Sequence, residues 1–424
     1  MKSRNVVIVG GARIPFSRSF TDYFGKTNHE LAVPPLKALV ERYDLKGERI
    51  GEVVMGAVIG HSDEIAIARE AALDSGLDPH TPAYDVRQAC GTSLEGVIAV
   101  ANKIALGQIE VGIAGGVDTN SDIPVEFTRR FTHYLMRLNA AKGGWKRFTQ
   151  ALKFRLGMLK PRIPAVVERR TGKRMGDHAE MMAKDWKLSR EDQDTLAVES
   201  HHKAAKAYED NFFDDLVIPF QGLDRDTFLR PKTSVEKISS LRPAFDRENG
   251  TLTAANSSPL SDGSAAVLLA SEEEAKKRGW PILAKIVDAQ TAAVDFVNGE
   301  GLLIAPTYAV SEMLQRNNMK LQDFDFYEIH EAFAAQVLAT LNAWESEEYC
   351  REKLGLDKPL GSIDRSKLNV HGSSIALGHP YAATGARITA TLGKLLSQEK
   401  GKRGLISICT AGGMGVTAIL ESPE

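Results

Sequence analysis

The stretch Val-Gly-Ile-Ala-Gly-Gly at residues 111–116 decides the fold, together with the residues that precede it. Its β-branched and small residues are typical of a buried strand that ends at a glycine pair. Residues 94–106 carry apolar side chains at helical spacing, and the segments 5–10 and 52–56 have the same strand character as 111–116. This order of strands and helices predicts an α/β protein whose largely parallel or mixed sheet is covered by helices.

The C-terminal part of the chain repeats this plan. Residues 382–396 have helical apolar spacing, residues 404–409 form a strand-like run, and Gly412-Gly413 follows that run as Gly115-Gly116 follows the earlier one. A helix–strand–Gly-Gly unit in each half predicts a duplicated architecture. The middle of the chain, from 121 to 249, has polar helical segments and several prolines, which indicates an inserted domain that lies on the surface.

Length and composition are those of an ordinary globular enzyme. The chain has 424 residues, of which 43% are hydrophobic and 25% charged, and this excludes a disordered or fibrous protein. No apolar run approaches the roughly 20 residues that a membrane-spanning helix needs. The three cysteines cannot form a disulfide framework, and no secretory or transit leader precedes residue 5. We therefore expect a cytoplasmic enzyme.

Four residues whose side chains could take part in catalysis lie where strands end or helices begin. Cys90 directly precedes the helix at 94–106, where the positive helix end lowers the pKa of a thiol and favours the thiolate. His379 lies in the loop that opens the second helix, and Cys409 ends a strand and enters a glycine-rich loop whose N–H groups can approach a substrate oxygen. His330 precedes a further helix. A thiol and a base are the minimal set for nucleophilic acyl transfer, although each residue alone is equally well explained by packing, capping or a turn.

Other chemistries are not indicated by the sequence. The ten histidines show no spacing with cysteine or carboxylate that fits a zinc site. The glycine-rich turns lack the motifs G-K-[ST] and G-x-G-x-x-G. We therefore predict no metal, no nucleotide phosphate loop and no nucleic-acid partner.

In combination, these segments resemble the thiolase family over essentially the whole chain. The resemblance rests on the segment around Cys90 and on six further motifs: Met175-Gly176-x-x-Ala179-Glu180, Leu252–Ser258, Ser261–Ala266, His330-Glu331-Ala332-Phe333, Gly378-His379-Pro380 and the Cys409 loop. It implies a duplicated five-layer αβαβα fold with an inserted loop domain. The N-terminal half would comprise residues 1–120 and 250–275, the inserted coenzyme A-binding domain residues 121–249, and the C-terminal half residues 276–424.

The resemblance also implies roles for the candidate residues. Cys90 would be the nucleophile that carries the acyl group, His379 the base that activates it, and Cys409 the second acid/base. His379 and His330 would bind the thioester oxygen, while the backbone N–H groups of Cys90 and Ala411 would form a second oxyanion site.

Coenzyme A and acyl-CoA would be substrates, with no permanently bound cofactor. Met175, Arg230 and Ser258 match positions that line the coenzyme A channel of the family. Family members are dimers or dimers of dimers, so the resemblance implies a homodimer or homotetramer.

Two departures from the family pattern matter. His330 occupies a position where most thiolases have Asn, and His at this position resembles the β-subunit of the fatty-acid trifunctional complex and its bacterial relatives. Ala411 stands where many members have Gly. The resemblance therefore implies a 3-ketoacyl-CoA thiolase of fatty-acid β-oxidation.

Three other functions are alternatives to a degradative thiolase. The first is a biosynthetic acetyl-CoA acetyltransferase that condenses two acetyl-CoA molecules, and the second is a non-catalytic lipid-carrier or scaffold protein with the same fold. A ketoacyl synthase would use one cysteine and two histidines, so the second cysteine, Cys409, argues against it.

The charge of the chain is concentrated in one segment. The whole chain has 53 basic and 55 acidic residues, but residues 129–174, the basic segment, contain fourteen Lys or Arg and one acidic residue, Glu168. An apolar stripe with helical spacing is predicted at Trp145, Phe148, Leu152, Leu156 and Leu159. A basic amphipathic helix of this kind docks on an anionic membrane surface or an acidic partner subunit. The alternatives are that the stripe packs on the protein's own core, or that some cations attract the phosphates of coenzyme A.

Overall fold

The computed structural model describes residues 4–162 and 167–423. Within these ranges the strands are β1 (Val6–Arg13), β2 (Ser17–Arg18), β3 (Glu52–Met55), β4 (Ala83–Asp85), β5 (Val111–Asp118), β6 (Glu126–Phe127), β7 (Pro161–Arg162), β8 (Ser261–Ser271), β9 (Ala284–Ala293), β10 (Phe326–Ile329), β11 (Arg403–Thr410) and β12 (Met414–Glu421). The helices are α1 (Asn28–Arg42), α2 (Ile67–Asp74), α3 (Thr92–Ala105), α4 (Arg129–Ala140), α5 (Gly144–Ala151), α6 (Met175–Asp185), α7 (Arg190–Glu209), α8 (Val235–Ser239), α9 (Glu272–Arg278), α10 (Pro306–Arg316), α11 (Ala334–Glu345), α12 (Glu347–Glu352), α13 (Ser374–Leu377) and α14 (Thr384–Ser397). None of these described helices is both long and apolar enough to cross a membrane.

The main sheet consists of two halves that share a four-stranded pattern, to which the N-terminal half adds β2 and β4. Its strand order is β10-β11-β12-β9-β1-β8-β5-β3-β4, with β2 paired to β8. In the N-terminal half β3–β5 is parallel, whereas β5–β8 and β8–β1 are antiparallel. In the C-terminal half β10–β11 is parallel, whereas β11–β12 and β12–β9 are antiparallel. The halves join where β1 pairs with β9, and the repeated order confirms the predicted duplication.

The central core lies between the two halves of the sheet. One face of β1 and β8 and one face of β11 and β12 pack together with α3 and α14, through residues such as Ile8, Val267, Ile408 and Val416. The opposite faces of the strands pack against α1 and α2 in the N-terminal half and against α10 and α11 in the C-terminal half. Because successive side chains of a strand point to opposite faces, the nearly continuous apolar runs give each strand two buried faces. The result is the predicted αβαβα arrangement.

The elements predicted from apolar patterning are present. The strands expected at 5–10, 52–56, 111–116 and 404–409 are β1, β3, β5 and β11, and the two predicted helices are α3 and α14. The segment 121–249 forms α4 to α8 and the small β6–β7 pair, and its described residues add no strand to the main sheet. Its definition as a separate domain with those boundaries stays a prediction.

The basic segment is not one continuous helix, so the predicted single apolar stripe was wrong. Helix α5 ends at Ala151, and Leu156–Leu159 form a separate 3₁₀ turn. The chain turns between them, and the ring of Phe154 in this turn packs back on Phe131 and Tyr134 of α4. Residues 163–166 of the basic segment lie outside the described residues.

Candidate active site

Cys90 lies in a 3₁₀ turn, Ala89–Gly91, directly before α3. The Oγ1 of Thr92 holds this turn, since it donates to the carbonyl of Ala89 at 2.7 Å and accepts from the N–H of Gln88 at 2.9 Å. Ala89 has a φ of 47°, a left-handed conformation that costs a residue with a side chain about 1–3 kcal/mol. The surrounding structure therefore holds a strained turn that presents the Cys90 sulfur.

His379 occupies the matching place in the C-terminal half, in the loop before α14. Its backbone N–H donates to the Oγ of Ser261 at 2.9 Å, and its Nδ1 lies 2.7 Å from the Oγ1 of Thr384. Its Nε2 lies 3.2 Å from the Sγ of Cys90. The contact with Thr384 orients the ring so that the other nitrogen faces the thiol, and the two halves thus bring the predicted base and nucleophile together.

His330 lies at the end of β10, beside His379. Its backbone N–H donates to the carbonyl of Ser407 at 2.9 Å, which extends the β10–β11 pairing by one residue. The His330 and His379 rings have centroids 4.2 Å apart, at an interplanar angle of 50°. One ring nitrogen of each histidine and the sulfur of Cys90 lie within 4.8 Å of one another. The predicted position for binding the thioester oxygen is therefore within reach of the nucleophile.

Cys409 and the loop after it approach Cys90 from β11. Cys409 is buried, and both its burial and the nearby Cys90 raise its pKa well above the usual range of a thiol. In the loop, Gly412 and Gly413 have positive φ angles of 83° and 70°, which favour glycine. The backbone N–H of Ala411 hydrogen-bonds to Cys90, so this candidate oxyanion donor lies at the nucleophile.

The resting site holds neutral groups rather than an ion pair. Burial raises the pKa of Cys90 to about 12, and this outweighs the hydrogen bond from Ala411, which acts in the opposite direction. Burial, assisted by the charge of Arg387, lowers the pKa of His379 to about 3. The expectation that the helix end favours a Cys90 thiolate was therefore wrong, because removal of water from the sulfur outweighs the backbone dipoles. If Cys90 is the nucleophile, its proton has to pass to His379 during the attack on a substrate.

The three residues predicted to contact coenzyme A lie in three different segments of the chain. Met175 begins α6 and packs against the apolar cluster that contains Cys409. The N–H of Ser258 donates to the carbonyl of Ala332 at 2.9 Å, two residues beyond His330. Arg230 is exposed. No hydrogen bond in the described part of the chain joins any of the three to Cys90, and their role stays a prediction.

Cys90, His330 and His379 are also within reach of a single metal ion. One cysteine and two histidines form a ligand set that zinc accepts. The sequence did not reveal this set because its members come from three distant segments. The neutral Cys90 thiol and the hydrogen bonds at the Nδ1 atoms of both rings suit proton transfer, and the absence of a metal stays a prediction.

Sequence reasoning missed the residues that support the two histidines. Thr384 contacts the Nδ1 of His379, Ser374 contacts the Nδ1 of His330, and Arg387 contacts Ser374. Hydroxyl residues are common where helices begin, so nothing in the sequence singles out Thr384 and Ser374. A buried arginine within an apolar helix, Arg387 in α14, is the one feature that could have drawn attention.

Comparison with known proteins agrees with the fold. Residues 6–273 match the model of the thiolase N-terminal domain, and residues 280–422 match that of the thiolase C-terminal domain. The chain is 41% identical over 423 residues to the 3-ketoacyl-CoA thiolases of Yersinia pestis (strain Pestoides F) and Yersinia pseudotuberculosis serotype O:1b (strain IP 31758), with 98% of this chain and 96% of each relative covered.

Two solved structures cover all of this chain and are themselves covered in full. The Bacillus anthracis acetyl-CoA acetyltransferase has a TM-score of 0.83 at 32% identity, and the human mitochondrial 3-ketoacyl-CoA thiolase has a TM-score of 0.82 at 29% identity. The chain therefore belongs to the thiolase family of acyltransferases.

Proposed function

We propose that this chain is a 3-ketoacyl-CoA thiolase, which converts a 3-ketoacyl-CoA and coenzyme A into a shortened acyl-CoA and acetyl-CoA. The observation that carries the proposal is the convergence of Cys90, His379 and Cys409 at one point between the two halves. A nucleophile with an adjacent base and a second proton donor are what cleavage of a carbon–carbon bond next to a thioester requires. A non-catalytic scaffold has no use for this arrangement.

The first half-reaction transfers the acyl group to Cys90. The Cys90 sulfur attacks C3 of the substrate while its proton passes to Nε2 of His379, 3.2 Å away. The C2–C3 bond then breaks, and its electron pair goes to C2 of the departing acetyl-CoA enolate. Cys409, kept in the thiol form by its raised pKa, donates its proton to C2.

The second half-reaction releases the acyl group. A coenzyme A thiol gives its proton to the Cys409 thiolate, and its sulfur attacks the acyl-Cys90 thioester. The bond between the acyl carbon and Cys90 breaks, and Cys90 regains its proton from His379. Division of the reaction into two steps replaces one difficult displacement by two easier ones.

Two sets of donors stabilise the oxygen anions in this scheme. The N–H groups of Cys90 and Ala411 bind the oxygen on C3, since Ala411 lies against the nucleophile. His330 and protonated His379 bind the thioester oxygen of the enolate. Donors already held in place before the reaction are worth several kcal/mol in such a site.

The main alternative is a biosynthetic acetyl-CoA acetyltransferase, because the same residues catalyse the reverse condensation. The degradative function is favoured by the 41% identity to curated 3-ketoacyl-CoA thiolases over 98% of this chain. Thiolysis rates should be compared between acetoacetyl-CoA and a series of longer 3-ketoacyl-CoA substrates. We expect cleavage of the longer chains; activity on acetoacetyl-CoA alone would favour the biosynthetic function.

His330→Ala should lower kcat by about 100-fold, the usual effect of removing one oxyanion donor. His330→Asn should retain measurable activity, because the Asn amide can still donate toward the thioester oxygen. The measurement is steady-state thiolysis by both variants beside the wild type. A near-wild-type kcat in His330→Ala would contradict the assigned role.

The coenzyme A channel is proposed to run past Met175, Arg230 and Ser258. The exposed Arg230 offers a cation for the phosphates of coenzyme A. Ser258 is hydrogen-bonded to Ala332, in the segment that follows His330.

We also propose that the protein is a homodimer or homotetramer in the cytoplasm. In support of an oligomer, Phe20 and Leu260 are more than half exposed and lie close together, because the N–H of Ser19 donates to the carbonyl of Leu260.

We further propose that the basic segment docks on an anionic membrane surface. Its apolar side chains do not pack on the core of this chain, since Trp145 is 76% exposed and Leu156 79% exposed. Four neighbouring cations have no ion-pair partner among the described residues, and these are Lys146, Arg147, Lys153 and Arg155. Exposed apolar side chains beside unpaired cations suit the boundary between lipid headgroups and acyl chains.

The wild type should sediment with anionic vesicles at low salt and be released at high salt, because exposed charges are screened within about 8–10 Å at physiological ionic strength. The change of Lys146, Arg147, Lys153 and Arg155 to Glu should abolish binding. The matched control changes four exposed lysines outside the segment to Glu: Lys46, Lys320, Lys358 and Lys400. Failure of the wild type to bind vesicles at low salt would contradict the proposal, and selective retention of the wild type by an acidic subunit would assign the segment to that partner instead.

A further inference from the structure

A buried chain of three side chains ends on His330. Arg387, in α14, donates from Nη2 to the Oγ of Ser374 at 2.7 Å, and the same oxygen lies 2.8 Å from the Nδ1 of His330. Each of the three residues is at most 1% exposed. The contacts therefore operate without competition from bulk water, and their hydrogen-bonding directions can be worked out from the groups themselves.

The chemistry of the groups fixes the direction of each hydrogen bond. A guanidinium group only donates, so the Ser374 oxygen accepts from Arg387. The Ser374 hydroxyl proton then needs an acceptor, and in the described part of the chain the only other contact of that oxygen is the Nδ1 of His330. A buried hydroxyl without an acceptor would cost about 1–3 kcal/mol. The Nδ1 of His330 is therefore an acceptor.

It follows that the single proton of a neutral His330 ring lies on Nε2. Burial lowers the pKa of His330 well below its usual value, and both His379 and Arg387 act in the same direction, so the ring is neutral. Its Nε2 is buried and has no partner among the described residues, and the ring lies in the cluster with Cys90 and His379. An unused donor thus points into the site.

We propose that Arg387 and Ser374 are positioning residues that hold His330 in the Nε2–H form, so that it donates to the thioester oxygen. The proposal rests on the proposed function and names the groups that prepare one of its oxyanion donors. The proposed reaction requires the opposite form of His379, in which Nε2 accepts the proton of the Cys90 thiol 3.2 Å away and Nδ1–H is directed at the Oγ1 of Thr384 2.7 Å away. In the proposed reaction one imidazole therefore acts as a base and its neighbour as a donor.

The proposal also separates histidine from asparagine at this position. The nitrogen of an Asn amide always carries two protons, so an Asn needs no hydroxyl behind it to become a donor. A neutral histidine ring donates from Nε2 only in the tautomer whose Nδ1 carries no proton, and a hydrogen bond accepted by Nδ1 favours that tautomer. Ser374 should therefore matter for catalysis when residue 330 is His and not when it is Asn.

The nitrogen resonances of ¹⁵N-histidine-labelled, unliganded enzyme test the proton position directly. His330 is identified as the ring whose signals vanish in His330→Asn. We expect the Nε2–H form in the wild type and a substantial Nδ1–H population in Ser374→Ala. An Nδ1–H form in the wild type would overturn the proposal.

Kinetics in two backgrounds provide the second test. Ser374→Ala should lower kcat about tenfold with little change in KM, part of the roughly 100-fold effect of an oxyanion donor. In the His330→Asn background the same change should have an effect of less than about twofold, since the coupling disappears with the histidine. The matched control is Ser373→Ala, because Ser373 contacts the same guanidinium at 3.3 Å without touching His330, and its effect should be small in both backgrounds.

Equal losses from Ser374→Ala in both backgrounds would assign Ser374 a packing role and overturn the proposal. Absence of thiolysis by the wild type would overturn the proposed function instead. The proton position in the unliganded enzyme would still decide the role of Ser374 in that case, because this measurement requires no turnover.

Discussion

Cys90→Ser should lower the rate of thiolysis by about 10⁴- to 10⁶-fold, the range seen when a nucleophile or its partner is removed from a covalent enzyme. The hydroxyl that replaces the thiol is a far weaker nucleophile and a far weaker acid, so it gives up its proton to His379 much less readily than the thiol does. In the wild type, incubation with acyl-CoA should leave an acyl group on the peptide that contains Cys90. Steady-state thiolysis and peptide mass spectrometry measure the two effects.

The matched control for this prediction is Cys350→Ala. Cys350 is fully buried in α12, away from the cluster of Cys90 and the two histidines, so its loss should leave thiolysis nearly unchanged. An acyl group found on Cys350 or Cys409 instead of Cys90 would refute the assignment of the nucleophile.

Cys409→Ala should lower the thiolysis rate by about 10²- to 10⁴-fold, the usual contribution of a positioned acid or base. The change removes the proton donor at C2 of the departing enolate, so the carbon–carbon bond cannot break productively. Attack of Cys90 on a simple acyl-CoA thioester needs only His379, 3.2 Å from the sulfur. The variant should therefore still become acylated on Cys90 when it is incubated with acyl-CoA.

This separation of the two activities is the decisive observation for Cys409. Loss of both acylation and thiolysis would show that Cys409 supports the structure around Cys90 rather than proton transfer at carbon. Cys350→Ala again serves as the control, and it should retain both activities. Comparison of the rates of acylation and of bond cleavage in all three proteins completes the test.

The sequence predicted the architecture because the apolar pattern is local and strong. The strands β1, β3, β5 and β11 are almost wholly buried runs, and their patterns appear in a few consecutive residues. The pairing of Cys90 with His379 was implied by the resemblance to the thiolase family, and the structure places the His379 Nε2 3.2 Å from the Cys90 Sγ. The predicted strands and helices thus indicate the position of a residue, such as Cys90, that lies next to their ends.

The protonation state of the site could not be predicted in the same way. The position of Cys90 before α3 indicates a lowered pKa, yet the pKa is raised to about 12 because the folded chain removes water from the sulfur. The hydrogen bond between Arg387 and Ser374 likewise joins α14 to α13, and no local sequence pattern predicts it. Desolvation and buried hydrogen bonds depend on distant segments, so they appear only once the chain is folded.

The strand order also determines when the protein can assemble during its synthesis. In each half the strand made last is inserted between two strands made earlier: β8 lies between β1 and β5, and β12 lies between β9 and β11. Until residues 261–271 leave the ribosome, β1 and β5 lack a shared neighbour and expose unpaired strand edges, which are prone to aggregation. The second half repeats this delay until residues 414–421 are made, only a few residues before the end of the described chain. A nascent chain therefore has two intervals in which a chaperone that covers strand edges would protect it, and it cannot become active before its last strand is in place.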